Sequence, residues 1–190
     1  MLDKRSLRAE YRAYWRSLGG VLPDRAVRSE SVVRQLVELL GVYPDRCRIG
    51  AYMALPDEPE LMSWLMKLDR NYEVSLPRVE GDEMHFYSWD AMPLDSVGAF
   101  GVREPRDDAS RVVPESLDLI IVPAVAFDKD GYRLGRGKGY YDRYLPQTSA
   151  LTVGVTLGLM KLDSLPRDPW DRPVDIVLSP KGPLLGNKPN

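Results

Sequence analysis

Residues 117–145 read LDLIIVPAVAFDKDGYRLGRGKGYYDRYL, and their first third decides the fold. Leu117 to Val122 is a near-continuous apolar run. A strand with one face in water alternates apolar and polar residues. A run that is apolar at both parities belongs in the middle of a parallel sheet, with helices covering both faces.

Outward from that strand, helical and strand-like patterns alternate. Residues 3–18 read as a helix, with Asp3 as cap, Leu7, Tyr11, Tyr14, Trp15 and Leu18 at helical spacing, and Gly19-Gly20 ending it. Pro23-Asp24 opens a second helix whose stripe of Val32, Val33, Leu36, Leu39 and Leu40 stops at Gly41. The β-like run RIGAYMAL at 48–55 ends at Pro56, and 58–72 reads as a third helix. Residues 73–79 and 83–89 read as strands joined at Gly81, and 90–116 is irregular and punctuated by Pro and Gly. Downstream come a glycine-rich loop, a short helix at 140–145, and strands at 151–156 and 174–178. The order predicts an α/β fold: a three-layer sandwich with a largely parallel sheet and helices on both faces. It fills one domain over 1–190, with a tail frayed from about 180. Ligands in such sheets gather at the carboxyl ends of the strands, which points to the loop after Val122.

Composition removes several classes. The net charge of −2 gives no global field for nucleic acid or anionic lipid. One cysteine, Cys47, excludes an intrachain disulfide and a Cys-rich zinc site and reads as a small buried hydrophobe. The run Leu119 to Phe127 spans 9 residues, far from the roughly 20 that cross a bilayer. MLDKRSLRAEYR is charged from its third residue and does not read as a signal peptide, so the expected location is the cytoplasm, with no obligatory protein partner evident.

Chemistry concentrates between Phe127 and Tyr144. Five basic residues (Lys129, Arg133, Arg136, Lys138, Arg143) stand there against three acidic ones (Asp128, Asp130, Asp142), an excess of positive charge in a net-negative chain. Gly131, Gly135, Gly137 and Gly139 lie in the same stretch. Glycines let the backbone turn its N–H groups toward a common centre and let a phosphate approach, and a helix start follows. The pattern is neither a Walker A loop, since Gly139 follows Lys138, nor the dinucleotide fingerprint. A flexible surface turn is the plain alternative.

The string DGYRLGRGKGYYDRYL, preceded by the apolar strand and VPAVAFD, closely resembles the signature of the 5-formyltetrahydrofolate cyclo-ligase family. Weaker agreement runs through KRSLR at 4–8, ALPDEPE at 54–60, LPRV at 76–79, MHFYSW at 84–89, REP at 103–105 and VDIVL at 174–178. The resemblance implies an ATP- and Mg²⁺-dependent reaction that gives 5,10-methenyltetrahydrofolate, ADP and phosphate. It also implies a nucleotide held by Lys4, Arg5, Ser6, Leu7 and Arg8 and by Arg133, Leu134, Gly135, Arg136, Gly137, Lys138, Gly139, Tyr140 and Tyr141. Folate would touch Arg8, Met53, Glu58 and the stretch Arg136 to Tyr140, with Arg136, Lys138 and Tyr140 at the chemistry. Asp142 and Asp171 would bind the metal. Many relatives have His where this chain has Trp170, and Thr where it has Ser179.

Each assignment has a plainer alternative. Lys4, Arg5 and Arg8 fit the solvated face of a helix. Asp142 and Glu58 fit helix starts, Tyr140, Tyr141 and Met53 fit the core, and His85 fits a satisfied structural histidine. Asp175 fits a strand-orienting carboxylate. Two other functions use the same loop: a sugar-phosphate isomerase or transferase, and a nucleotide-binding module without turnover.

Overall fold

The computed structural model describes residues 3–42, 47–68, 72–89, 96–97, 101–160 and 162–185. Helix α1 (Lys4–Ser17) is capped by Asp3, whose side chain accepts from the Ser6 N–H at 2.7 Å. Helix α2 is Arg25–Leu40, and α3 is the single turn Met62–Leu65. Strands β1 (Arg48–Gly50), β2 (Glu73–Glu80) and β3 (Glu83–Ser88) follow the chain, then two-residue strands β4 (Ser96–Val97) and β5 (Arg103–Glu104). The apolar run becomes β6 (Leu119–Pro123). After it come β7 (Ala126–Phe127), β8 (Arg133–Leu134), α4 (Tyr140–Tyr144), β9 (Leu151–Val155), β10 (Ile176–Ser179) and β11 (Gly182–Leu185).

Among the described residues the main sheet has the order β11-β10-β9-β6-β1-β2-β3. The run from β10 to β2 is parallel, and the outer strands β3 and β11 pair antiparallel at the two edges. Strand β6 meets the expectation for a doubly covered strand. Leu119 and Ile121 pack with α2 residues Val32 and Leu36 on one face. Ile120 and Val122 pack on the other with Phe86 and with Tyr144 of α4. The Phe86 and Tyr144 rings meet edge to face at 5.1 Å. Helices therefore cover both faces of a mostly parallel sheet.

Tertiary contacts override the local pattern in four places. The strand expected over 48–55 ends at Gly50 with one further backbone bond, Ala51 N–H to Ser75 O. The chain then leaves the sheet. The helix expected over 58–72 is reduced to α3, because Asp57 to Glu60 are held as a turn. Tyr52 donates to the Pro59 carbonyl at 2.8 Å, Arg25 to the Glu58 and Leu55 carbonyls at 3.0 Å, and the Glu60 N–H donates to Ser29. Part of the glycine-rich loop is a hairpin, β7 with β8. The tail is not frayed at 182–185, which pair with β10, while 186–190 lie outside the described residues, as do 69–71, 90–95 and 98–100 of the expected helix and irregular stretch. No described helix is long and apolar enough to cross a membrane.

Candidate active site at the carboxyl ends of the strands

Chain order reverses direction between β1 and β6: β1 runs on to β2 on one side and β6 to β9 on the other. Crevices open at such a point, beyond the carboxyl ends of the strands. A cavity of about 400 Å³ lies there, walled by Tyr52, Met53 and Leu55 after β1 and by Pro123 and Ala124 at the end of β6. Helix α1 contributes Lys4 and Arg8, and the loop 135–139 forms another wall. Pro77, Val79 and Met84 of the β2–β3 hairpin make an apolar side.

The loop is held open by its glycines and fixed by its arginines. Gly137 (φ +100°) and Gly139 (φ +69°) occupy backbone conformations that side chains resist. A Cβ on Gly137 would touch the Arg8 guanidinium at 3.5 Å, an ordinary contact, so the backbone conformation is what calls for glycine there. Gly135 has no such conformation, so alternation of glycine in the sequence overstates how many are required. Arg8 donates to the Gly135 carbonyl at 2.7 Å, which docks α1 on the loop. Arg136 donates through Nη2 to Asp57 at 2.5 Å and to Glu58 at 3.2 Å. Lys138 is exposed and has no carboxylate partner among the described residues. Helix α4 is too short for a sizeable dipole, so charge at the loop comes from side chains and loop N–H groups.

Two further cations line the pocket with carboxylate partners. Arg133 donates to Asp142 at 2.5 Å and to the Arg172 carbonyl at 2.6 Å. Lys4 donates to Asp168 at 2.9 Å and also to Asp171. Burial disfavours the Lys4 charge, but the hydrogen bonds that Lys4 donates to Asp171 and Asp168, with their charges, outweigh it and raise its pKa. Burial likewise pushes the Glu58 carboxyl above its ordinary value, and the Arg136 charge recovers only part of that. The Tyr141 hydroxyl is buried without a partner among the described residues, and burial, then the Glu58 charge, keeps it protonated. Among the described residues no three His, Cys, Asp or Glu side chains converge on a metal-sized point.

The structure brings together Lys4, Arg8, Met53, Glu58, Arg133, Gly135, Arg136, Gly137, Lys138, Gly139, Tyr140, Tyr141, Asp142 and Asp171 around one cavity. It does not bring Arg5, Ser6, Leu7 or Leu134 to it. Leu7 and Leu134 are core residues packed with Tyr11, Ser6 serves the Asp3 cap through its N–H, and Arg5 points to solvent. Asp142 is not the α4 cap. That position belongs to Gly139, and Asp142 spends its carboxylate on Arg133. Asp175 orients β9 by accepting from the Thr152 N–H and hydroxyl, and His85 is held between Glu83 and Arg111.

Sequence reasoning missed Asp57, Tyr11, Tyr52, Asp168 and the apolar wall. Asp57 carried a usable signal, two adjacent acids just past a strand end. Tyr11 follows Arg8 by one helical turn, whereas the wall residues depend on how β2 and β3 fold over the site.

The chain matches the sequence profile of the 5-formyltetrahydrofolate cyclo-ligase family over residues 1–180. It is 29% identical to the mouse 5-formyltetrahydrofolate cyclo-ligase over 195 residues, covering 95% of each chain. The Escherichia coli K12 5-formyltetrahydrofolate cyclo-ligase is 40% identical over 83 residues, 42% of this chain and 46% of that protein. The solution structure of Aquifex aeolicus 5,10-methenyltetrahydrofolate synthetase superposes with a TM-score of 0.79 at 37% identity, covering 95% of this chain and 91% of that one. A Mycoplasma pneumoniae 5,10-methenyltetrahydrofolate synthetase superposes at 0.75 with 26% identity, covering 94% and 99%. On this agreement of sequence and fold, the chain belongs to the 5-formyltetrahydrofolate cyclo-ligase family.

Proposed function

We propose that this protein cyclises 5-formyltetrahydrofolate to 5,10-methenyltetrahydrofolate in the cytosol, consuming ATP and releasing ADP and phosphate, with Mg²⁺ as cofactor. The observation that carries the reading is the pairing of opposite chemistries in one cavity. The loop of Arg136 and Lys138 faces a buried carboxylate, Glu58, and an apolar wall. The loop suits phosphate oxygens. The carboxylate and the wall suit a flat ring system with N–H groups on its edge. A sugar phosphate could donate its hydroxyls to the carboxylate but would leave the apolar wall of Pro77, Val79 and Met84 uncovered.

The formyl group on the N5 nitrogen is an amide, and its oxygen is a poor leaving group. Transfer of the γ-phosphoryl group to that oxygen makes it a good one. The N10 nitrogen then attacks the carbon and loses its proton, and the C–O bond breaks with departure of phosphate. Such a transfer needs positioning and charge stabilisation more than a protein nucleophile. Lys138, with no competing carboxylate among the described residues, meets the phosphate charge; Arg136 lies beside Glu58 and bridges phosphate to folate. Glu58 orients the folate ring by accepting from its N–H groups, and Tyr140 and Met53 line its seat. The Tyr141 hydroxyl is a free donor for a ligand oxygen.

Mg²⁺, when bound, would offset phosphate charge. It is commonly held by one or two carboxylates together with phosphate oxygens. Asp142 and Asp171 line the pocket and are the residues that would hold it. Each now carries a cation, Arg133 or Lys4, that can turn to a phosphate when the carboxylate is taken. The experiment is a product balance: one ADP and one phosphate per methenyl group formed. Methenyl formation without ADP, or ADP release unaffected by folate, contradicts the reading.

A further inference from the structure

We propose that Asp57 is a positioning residue for this reaction, acting through Arg136 and setting the register between α1 and the glycine-rich loop. The inference rests on the functional reading above, in which Arg136 meets phosphate and folate. Asp57 is buried and does not itself line the cavity. Its two oxygens have separate tasks: Oδ1 accepts from Arg136 Nη2 at 2.5 Å and Oδ2 accepts from the Tyr11 hydroxyl at 2.8 Å.

Three observations make this more than a packing contact. Arg136 stands between Gly135 and Gly137, so the backbone gives its side chain little rigidity and the carboxylates must supply it. Of its two carboxylate contacts the Asp57 one is short, while the Glu58 contacts are long, at 3.2 and 3.3 Å. Glu58 lines the cavity and is drawn toward substrate N–H groups on binding, which leaves Asp57 as the anchor that remains. Finally, Tyr11 lies on the same helix as Lys4 and Arg8, both of which line the cavity. One carboxylate thus links the cations of α1 to the cation of the loop, and misplacement of any of them by about 1 Å is costly to a positioned phosphoryl transfer.

The test uses the full chain with Asp57→Asn, Tyr11→Phe, Arg136→Ala and the Asp57→Asn/Arg136→Ala pair. Asn keeps the shape, and one amide oxygen can serve only one of the two donors. Asp57→Asn lowers kcat at least tenfold, with KM for both substrates within about threefold of wild type and little change in melting. Tyr11→Phe keeps the Arg136 contact and lowers kcat less. In the Arg136→Ala background, Asp57→Asn adds no further loss, because the two act as one unit. Independent of turnover, the guanidinium N–H signals of Arg136 in the nitrogen-15 NMR spectrum report slow rotation in wild type and Tyr11→Phe, and faster rotation in Asp57→Asn, where only the longer Glu58 contacts remain. A loss of kcat that multiplies with that of Arg136→Ala, or an Arg136 signal indifferent to Asp57→Asn, overturns the proposal. Failure of the wild type to turn over strikes the functional reading instead, and the NMR comparison still decides the role of Asp57.

Discussion

The Arg133 guanidinium and the Asp142 carboxylate meet at 2.5 Å, tying β8 to the first turn of α4 beside the cavity that both residues line. The Arg133 side chain is 5% exposed and that of Asp142 24%. Removing the negative partner leaves a guanidinium nearly out of water with no ion pair, and only the charge of Asp171, which it does not touch, to offset it.

Asp142→Asn therefore has two measurable effects. The amide oxygen still accepts from Arg133 but the charge is gone, which costs about 1–3 kcal/mol, or roughly 3–10 °C in Tm for a chain of this size. The amide is also a poor ligand for Mg²⁺, which prefers anionic oxygen. At temperatures where the variant is folded, its rate-against-Mg²⁺ curve at fixed ATP shifts at least tenfold to higher Mg²⁺. Superimposable curves would assign the metal to other groups and leave Asp142 as an ion-pair partner alone.

Lys138→Ala separates binding from folding cleanly. The side chain is exposed and has no partner among the described residues, so thermal melting stays within about 1 °C of wild type. The KM for ATP, or kcat, worsens at least tenfold, about 1.4 kcal/mol of phosphate interaction. Unchanged ATP dependence in a stable variant would move the phosphate site away from this loop.

Glu58 has a signature in stability against pH. Burial raises its carboxyl above the ordinary 4.5, so the folded chain keeps a proton that the unfolded chain releases. Stability contributed by this residue falls as pH rises from 4.5 to the raised value and is level above it. The stability of wild type minus that of Glu58→Gln, from urea unfolding between about pH 4 and 8, declines over that window. A difference that rises with pH would mean the Arg136 charge outweighs burial.

Much of this site was legible because its chemistry is local. The glycines and cations of 131–143 and the double-sided apolar run of β6 are contiguous, so both the sheet and the loop at its carboxyl end could be read. What could not be read is where long-range contacts override local pattern. The 58–72 stretch has helical spacing, yet Arg25, Ser29 and Tyr52 hold its first residues as a turn, and that turn presents Asp57 and Glu58 to Arg136. Leu7 lies between Lys4 and Arg8, and Leu134 between Arg133 and Gly135, all of which line the cavity, but periodicity puts the two leucines on the inward face, where they pack with Tyr11. A motif marks a neighbourhood, and burial decides which members reach the ligand.

Cys47 provides a check on the non-catalytic part of the account. It is buried, and burial, then the charge of Asp118, pushes its thiol up to about 11. At pH 8 the folded protein resists iodoacetamide under conditions that alkylate the thiol fully in urea. Rapid alkylation of the native chain would indicate an accessible thiolate.

A cavity that joins folate to phosphoryl transfer, as proposed, forms product only when nucleotide and metal are both present. The most direct measurement is a time course of methenyl absorbance from 5-formyltetrahydrofolate with the complete mixture, and with ATP or Mg²⁺ omitted in turn. Absorbance grows only in the complete mixture, stops when either is withheld and resumes when it is added back. Growth that persists without ATP, or none in the complete mixture with folded protein, would contradict the proposal.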